Sequence, residues 1–192
     1  MNINNDMTRI ENLFLSAVLI VTFIIPFVII LTLVRITSKG PAIHWSKRVG
    51  LNNELFLMPK FRTMYLNTPN IATHLLYGSK EFITPIGRFL RVTSLDEIPQ
   101  LWSIFIGKMN FVGPRPALFN QDDLVKLRTD YGVHKLKPGL TGLAQINGRD
   151  EISIPNKVKL DYQYMKSRSR LNDYGILFKT FFKAVSKDGV SH

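Results

Sequence analysis

Two adjacent carboxylates, Asp96 and Glu97, lie in the stretch "RVTSLDEIPQLW" at 91–102 of a chain in which Lys and Arg outnumber Asp and Glu by 25 to 14. Ser94 and Glu97 match the S-x-x-E capping box, which gives Glu97 a structural explanation. A helix capped at Ser94 would, however, place Pro99 where a backbone donor is needed, whereas a start at Asp96 avoids that loss. In both cases the acidic pair lies at a helix N-terminus, where negative charge, including a bound phosphate, is favoured.

Cationic residues that could hold a phosphate occur on both sides of the acidic pair. Lys60 and Arg62 follow an apolar run and are two residues apart, so in a strand both would face one side and could grip a diphosphate. Two such cations are also common on a solvated face. Downstream, the stiff turn Gly113–Pro116 holds Arg115 in a fixed direction, which lowers the entropy lost when it binds a ligand.

The overall charge and composition limit the classes of partner. The formal net charge is +11, which points to nucleic acid, acidic lipid headgroups or a phosphorylated small molecule. The chain has no cysteine, which excludes disulfides and thiolate metal sites, and its four histidines are too far apart in sequence to form a metal-binding motif. With 192 residues, we expect one domain plus an appendage.

The appendage is N-terminal and apolar. The stretch from Leu13 to Val34 carries no charged residue and, at about 1.5 Å per residue, is long enough to cross a hydrocarbon core of about 30 Å. Basic residues follow it, so the positive-inside rule puts the bulk of the chain in the cytoplasm. Pro26 removes the backbone donor to the Thr22 carbonyl and predicts a bend there. A kinked spanning helix and a re-entrant hairpin both fit this pattern.

The remaining pattern predicts a helix-rich α/β domain. Leu55 to Met58 suggest a short strand, 66–85 a loop with at most a short helix at 72–77, and Asn147-Gly148 a hairpin. Three helices are indicated by apolar spacings of three and four or by a helix-start proline. They are an amphipathic stripe from Ile98 to Met109, a helix with Pro155 in its first turn, and a basic amphipathic helix at 176–187 suited to a membrane surface.

Four separated motifs resemble the bacterial sugar transferase family, the monotopic phosphoglycosyl transferases. They are "KFRTM" at 60–64, "GRFLRVTSLDEIPQLW" at 87–102, "VGPRP" at 112–116 and "KPGLTGLAQINGR" at 137–149. The resemblance implies a mixed, helix-rich α/β fold with a re-entrant membrane helix at 1–36, a cytoplasmic catalytic domain at 37–192 and interfacial amphipathic helices. It also implies location at the bacterial inner membrane, with the catalytic domain on the cytoplasmic face.

The reaction implied by this resemblance moves a phosphosugar from a UDP-sugar to polyprenyl (undecaprenyl) phosphate, releasing UMP, as the first membrane step of a glycoconjugate pathway. By likeness to the family's Asp-Glu dyad, Asp96 would be the nucleophile that forms a covalent phosphosugar-aspartate, and Glu97 would assist. Both would be ligands of Mg²⁺. The repulsion between a carboxylate and a diphosphate requires nearby cations, which we assign to four residues. They are Lys60, Arg62, Arg91 and Arg115.

Two departures from the family pattern affect these expectations. Ile25-Pro26 stands where the family often has Ser-Pro, so Thr22 would have to replace the serine in supporting the bend. "GKMN" replaces the usual Gly-Asp-Met-Ser, so we assign no metal-binding role to Lys108. A membrane-tethered module that binds nucleic acid or acidic lipid, and a scaffold without turnover, are the rival functions. The transferase hypothesis predicts no nucleic-acid partner and is compatible with a homodimer.

Overall fold

The computed structural model describes residues 6–69, 79–148 and 152–186, and it is mixed and helix-rich, as predicted. The predicted short helix at 72–77 lies outside these residues. The helices and strands follow one another in this order: α1 (Arg9–Thr22), α2 (Ile24–Thr37), β1 (Ile43–Val49), β2 (Leu55–Phe61), α3 (Pro85–Val92), α4 (Gln100–Phe105), β3 (Asn110–Val112), α5 (Asp122–Asp130), β4 (Gly139–Thr141), α6 (Leu143–Ile146), α7 (Ile154–Ser167) and α8 (Arg170–Ser186).

The apolar N-terminal segment folds as two helices, α1 and α2, that meet at an angle of 62°. The break is at Phe23, because Pro26 cannot donate the hydrogen bond that the Thr22 carbonyl would otherwise accept. The Thr22 hydroxyl donates instead to the Val18 carbonyl at 2.9 Å, a contact that often accompanies helix bending. The predicted bend is therefore confirmed. In the described residues no single helix is long and apolar enough to span a bilayer, whereas the bent pair together meets that length and composition.

Two small sheets carry the segments around the acidic pair. β1 and β2 form an antiparallel hairpin in which His44 is paired with Lys60, and β3 and β4 form a parallel pair connected through α5. The strand predicted at Leu55 to Met58 is confirmed. The hairpin predicted at Asn147-Gly148 is wrong, because "LAQI" forms the short helix α6 and Gly148, with φ +143°, follows its end.

Two apolar clusters meet at the segment that carries the acidic pair. The larger cluster packs β2, α4, β3, α7 and α8 together, through residues that include Met58, Leu101, Met109, Phe111, Tyr164 and Ile176. The smaller one joins the end of α2 to β2 and α3 through Val34, Phe61 and Leu90. Ile98 contacts both clusters. The turn that ends at Glu97 is therefore anchored to both parts of the core.

The continuous helical stripe predicted from Ile98 to Met109 is confirmed only in part, because α4 ends at Phe105 and Gly107, with φ +82°, separates the helix from Met109. Leu101 and Met109 are buried, whereas Trp102 and Ile106 are 50% and 49% exposed. The other two helices are confirmed as α7, with a proline in its first turn, and α8.

Candidate active site

The acidic pair lies in a 3-10 turn, Leu95–Glu97, between α3 and α4. Ser94 precedes it with φ +56° in the left-handed region, and among the described contacts its side chain makes no helix cap. Both predicted helix starts are thus wrong, since α4 begins at Gln100 with Pro99 as its N-cap. After the left-handed residue Ser94 the chain turns toward the core, and Asp96 is only 8% exposed.

Asp96 is a carboxyl group whose pKa is raised. Burial, followed by the neighbouring Glu97 charge, raises this pKa to about 6, although the charges of Lys60, Arg91 and Arg115 act in the opposite direction. These three cations reach Asp96 from β2, α3 and the turn after β3, respectively. The structure therefore brings together three of the four cations that the sequence assigned to phosphate.

Lys60 has a perturbed pKa of its own. Its pKa is lowered to about 8, mainly by burial and then by the Arg48 charge, against the stabilising charge of Asp96. The residue lies next to the end of β2 and is paired across the hairpin with His44. A cation held among other cations is a good partner for an anionic ligand, because the ligand relieves their mutual repulsion.

Glu97 is oriented by Arg115 and not by a helix cap. The Arg115 guanidinium donates from Nη2 to Glu97 Oε1 at 2.7 Å. The side chains are 38% and 23% exposed, and an ion pair as open as this adds little stability. Its main effect is to fix the direction of the Glu97 carboxylate relative to Asp96.

The turn that carries Arg115 is held at three successive carbonyls. Arg128 Nη1 donates to the Arg115 carbonyl at 2.8 Å, Arg48 Nη1 donates to the Pro116 carbonyl at 3.2 Å, and the Val49 N–H donates to the Ala117 carbonyl at 2.9 Å. The predicted stiffness of this turn thus comes from tertiary contacts as well as from its prolines.

Glycines bring the "VGPRP" and "KPGLTG" motifs into contact. A Cβ added to Gly139 would lie 2.1 Å from the Gly113 backbone nitrogen, and one added to Gly113 would lie 2.6 Å from the Lys137 carbonyl oxygen. Side chains at either position would push β3 and β4 apart. These two motifs therefore pack directly against each other next to the turn that carries Arg115.

The structure differs from the prediction that Arg62 grips a diphosphate together with Lys60. β2 ends at Phe61, and the Arg62 side chain, which is 4% exposed, donates from Nη2 to the Ser38 carbonyl and hydroxyl oxygens, each at 2.8 Å. Its Nη1 donates to the Lys39 carbonyl. Carbonyls at a helix C-terminus lack intrahelical partners, so Arg62 is drawn to the end of α2. Its guanidinium therefore holds the segment that connects α2 to β1.

A cavity of about 420 Å³ opens over this site, within the range typical of small-molecule pockets. All four predicted cations, Lys60, Arg62, Arg91 and Arg115, contribute to its lining, although the Arg62 guanidinium binds backbone oxygens after α2. The lining also includes basic or polar residues that the sequence did not single out, namely His44, Arg48, Gln121, Arg128 and Lys157. Strand alternation in β1 puts His44 and Arg48 on one face and could have indicated those two. Arg128 and Lys157 come from α5 and α7, and no local pattern links these helices to the site.

The site supplies only part of the ligand set that a magnesium ion needs. The described residues contain no group of three or more His, Cys, Asp or Glu side chains able to hold a metal. Mg²⁺, however, is often bound through one or two carboxylates, with substrate phosphates and water completing the octahedron. Asp96 and Glu97 suit that role. Lys108 is exposed, and the sequence assigned it no metal-binding role.

A cavity lined by cations that act on a buried carboxylate defines a site for a phosphate-bearing ligand. The chain belongs to the bacterial sugar transferase family, whose model matches residues 3–187. It is 34% identical over 212 residues to the undecaprenyl-phosphate galactose phosphotransferase of Salmonella typhimurium, which covers 98% of this chain and 44% of the relative. It is also 36% identical over 190 residues to the UDP-glucose:undecaprenyl-phosphate glucose-1-phosphate transferase of Escherichia coli, covering 94% of this chain and 40% of that protein.

A shorter relative matches over more of its own length. The exopolysaccharide production protein ExoY of Sinorhizobium fredii is 33% identical over 169 residues, which are 80% of this chain and 74% of the relative. The chain thus spans less than half of the two longer relatives.

Proposed function

We propose that this protein transfers a phosphosugar from a UDP-sugar to polyprenyl phosphate, forming a polyprenyl-diphosphate sugar and UMP. The observation that carries the proposal is the buried Asp96 carboxylate, on which the charges of Lys60, Arg91 and Arg115 act, next to a cavity of about 420 Å³ that these three cations line. The names of the Salmonella and Escherichia coli relatives, which describe undecaprenyl-phosphate sugar phosphotransferases, support the choice of donor and acceptor. The name of the ExoY relative supports a glycan-building pathway.

The first step forms a covalent intermediate on Asp96. A carboxylate oxygen bonds to the sugar-bearing phosphorus, the bond from that phosphorus to the bridging oxygen breaks, and the electron pair leaves on the UMP oxygen. In the second step an oxygen of the lipid phosphate attacks the same phosphorus and releases Asp96 unchanged. Two displacements at one carboxylate allow a water-soluble donor and a lipid acceptor to bind in turn.

The protonation state of the dyad suits this chemistry. With its pKa raised to about 6, Asp96 is mainly ionised near pH 7 and remains more basic than an exposed aspartate. Lys60, Arg91 and Arg115 offset the repulsion between this carboxylate and the diphosphate. Glu97, fixed by Arg115, assists from the adjacent position. Mg²⁺ held by Asp96 and Glu97 would screen charge on the diphosphate.

The proposed membrane topology is a re-entrant hairpin. The N-terminal end of α1 is tied to the catalytic domain by polar contacts: the Met7 N–H donates to Asp173 Oδ2 in α8 at 2.9 Å, and Arg9 Nη1 donates to the Ile104 carbonyl in α4 at 2.6 Å. Asn12 is fully buried and accepts from the Phe111 N–H at 2.8 Å. A spanning helix would carry these residues across the bilayer and leave buried groups without partners, each at a cost of about 1–3 kcal/mol.

The other end of the helix pair is attached to the same domain. Val34 in α2 is fully buried against a cluster that includes Phe61 and Leu90, and Arg62 binds the carbonyls just beyond α2. Both ends of the helix pair are therefore attached to the same domain, which supports the re-entrant hairpin, and the basic residues that follow the apolar segment support the cytoplasmic face. Apolar side chains exposed on the surface could rest on that membrane, and they are Ile25, Ile29, Trp102, Ile106, Phe178, Phe181 and Phe182.

The decisive experiment is a UMP-release assay in nanodiscs containing polyprenyl phosphate. The donor panel should include UDP-galactose, UDP-glucose and UDP-linked N-acetylated amino sugars, because the site residues do not select one sugar. We expect UMP release with at least one donor and a polyprenyl-diphosphate sugar as the lipid product. Binding of donors without UMP release across the panel would favour the scaffold alternative.

A further inference from the structure

Helix α8 has two faces of different chemistry. Its exposed face is apolar and mainly aromatic, and consists of Leu171, Tyr174, Phe178, Phe181 and Phe182. Residues three and four positions apart lie on the same side of a helix, so the inward face follows the series Asp173, Ile176, Thr180 and Lys183. Asp173 and Ile176 are each 2% exposed. Thr180 and Lys183 continue this inward face and make polar contacts with β4 and α6.

A pair of hydroxyl groups joins α8 to β4. Thr180 Oγ1 lies 2.7 Å from Thr141 Oγ1 and also donates to the Ile176 carbonyl at 2.8 Å. A threonine hydroxyl has one proton, so Thr141 is the donor in the contact with Thr180. Thr141 is 4% exposed, and a buried donor that loses its acceptor costs about 1–3 kcal/mol. The Thr180 hydroxyl therefore holds β4 against α8.

The end of β4 is in backbone contact with the Gly113–Pro116 turn, which carries Arg115. The Gly113 N–H donates to the Thr141 carbonyl at 2.9 Å. A Cβ added to Gly142, the residue after β4, would lie 2.2 Å from the Gly113 carbonyl oxygen. Because glycines allow the two backbones to touch directly, a displacement of β4 is transmitted to the turn.

A second contact holds the segment that follows β4. Lys183 Nζ donates to the Ile146 carbonyl at 2.6 Å, at the C-terminal end of α6. Carbonyls at a helix C-terminus lack intrahelical partners and favour a cation. Because only Gly142 separates β4 from α6, the two contacts from α8 hold both ends of one short segment.

We propose that Thr180 is a positioning residue for the Arg115–Glu97 pair. Its hydroxyl acts through Thr141 and the Gly113–Pro116 turn. The inference rests on the proposed function, in which this pair orients the dyad, and it gives α8 a role in that function. Catalytic groups must be held within about 0.5 Å of their productive geometry. Since β3 and β4 have 3 residues each, their short ladder needs support from α8 to hold the turn so closely.

The test compares Thr180→Val with Thr129→Val in the full-length protein. Thr129 is the matched control, because its hydroxyl donates to the Val125 carbonyl four residues earlier at 2.8 Å and accepts from Asn53 of another segment at 3.0 Å. Valine has a similar shape to threonine but no hydroxyl. Thr180→Ser retains the hydroxyl and should behave as the wild type.

Two measurements are made, and only one of them depends on turnover. Hydrogen–deuterium exchange of segment 110–118 should be about tenfold faster in Thr180→Val, because the hydrogen bond from the Gly113 N–H to the Thr141 carbonyl opens more often. The value of kcat/KM for UMP release should fall about tenfold, mainly through kcat. Thr129→Val should leave the exchange of this segment and the kinetics at their wild-type values.

A double variant separates positioning from a general loss of stability. If Thr180 acts through Arg115, adding Thr180→Val to Arg115→Lys should reduce kcat/KM no further, whereas independent defects would multiply. Multiplied losses would contradict the proposed role. Unfolding curves of each variant give the folded fraction to which the rates are normalised.

The outcomes separate this inference from the proposed function. Equal exchange of segment 110–118 in Thr180→Val and Thr129→Val, or an unchanged kcat/KM in Thr180→Val, would overturn the positioning role. If exchange is faster in Thr180→Val but the wild type turns over no UDP-sugar, the link from α8 to the Arg115 turn stands and the transferase proposal fails. If the wild type is active and Thr180→Val is equally active, the positioning role alone fails.

Discussion

Glu97 Oε1 accepts a hydrogen bond from Arg115 Nη2 at 2.7 Å, although the two residues are 18 positions apart in the chain. The contact joins the turn that carries the acidic pair to the Gly113–Pro116 turn. The second turn is itself held by Arg48 and Arg128. The orientation of the dyad is therefore set by residues from four separate segments.

Arg115→Lys should reduce kcat/KM at least tenfold, equivalent to about 1.4 kcal/mol. The substitution retains the positive charge but removes the planar fork that can contact Glu97 and a phosphate together. Arg88→Lys is the matched control, because Arg88 is exposed on α3. Initial rates of UMP release measure both variants. If Arg115→Lys matched Arg88→Lys, Arg115 would be an ordinary surface charge.

Asp96→Asn should abolish turnover while raising thermal stability. Burial raises the pKa of Asp96, so the ionised form is costly in the folded state, and a neutral amide of similar shape avoids that cost. We expect at least a thousandfold loss of rate and a higher Tm near pH 7. With labelled donor and no lipid acceptor, the wild type should retain phosphosugar on the protein, and the variant should not. Activity retained by Asp96→Asn would rule out its role as the nucleophile.

Glu97→Gln separates charge from geometry at the second carboxylate. Glutamine can still accept the Arg115 hydrogen bond through its side-chain oxygen but carries no negative charge. We expect an unchanged Tm and a rate at least tenfold lower, measured by UMP release. Full activity would show that Glu97 only positions Arg115.

The pH profile of kcat/KM should be bell-shaped. Activity should fall as the pH drops through the Asp96 pKa of about 6, because the nucleophile becomes protonated. It should also fall as the pH rises through the Lys60 pKa of about 8, because a cation is lost.

The free energy of unfolding should depend on pH in a different way. Because the pKa of Asp96 is raised in the folded state, the folded state binds more protons than the unfolded state. The Asp96 contribution to stability therefore declines as the pH rises from about 4 to 6. Asp96→Asn should remove that decline in a Tm series.

The Arg128–Asp161 pair should be needed for both folding and function. Arg128→Met leaves the Asp161 carboxylate, which is 2% exposed, without its cation, and removing one partner of a buried pair costs about 3–5 kcal/mol. Urea unfolding measures the loss. The double variant Arg128→Met/Asp161→Leu should regain much of the stability but not the activity, because the Arg115 carbonyl still lacks its donor. Recovery of full activity in the double variant would show that Arg128 does not position Arg115.

Cysteine labelling tests the re-entrant topology, and the absence of native cysteines makes it specific. Asn2→Cys should react with a membrane-impermeant maleimide only after cells are permeabilised. Asn52→Cys, in the exposed β1–β2 turn, is the control for the catalytic domain and should behave in the same way. Efficient labelling of Asn2→Cys in intact cells would contradict the hairpin. Pro26→Ala restores the donor to the Thr22 carbonyl and should shift Asn2→Cys toward labelling from outside.

The sequence by itself determined the features that depend on local chemistry. Pro26 cannot donate to the Thr22 carbonyl, so the apolar segment bends near that point in any fold. The apolar spacing from Leu177 to Phe182 and Pro155 in a first helical turn likewise led to α8 and α7. The cluster of cations around Asp96 also followed from the sequence, because its motifs resemble a known family.

Only the tertiary structure decided what the side chain of each cation binds. The spacing of Lys60 and Arg62 predicts one shared face if the strand continues, but β2 ends at Phe61 and the carbonyls after α2 bind Arg62. Lys157 and Arg128 reach the site because α7 and α5 pack behind the Arg115 turn. Local propensity cannot report such contacts, since they depend on which distant segments supply partners for buried polar groups.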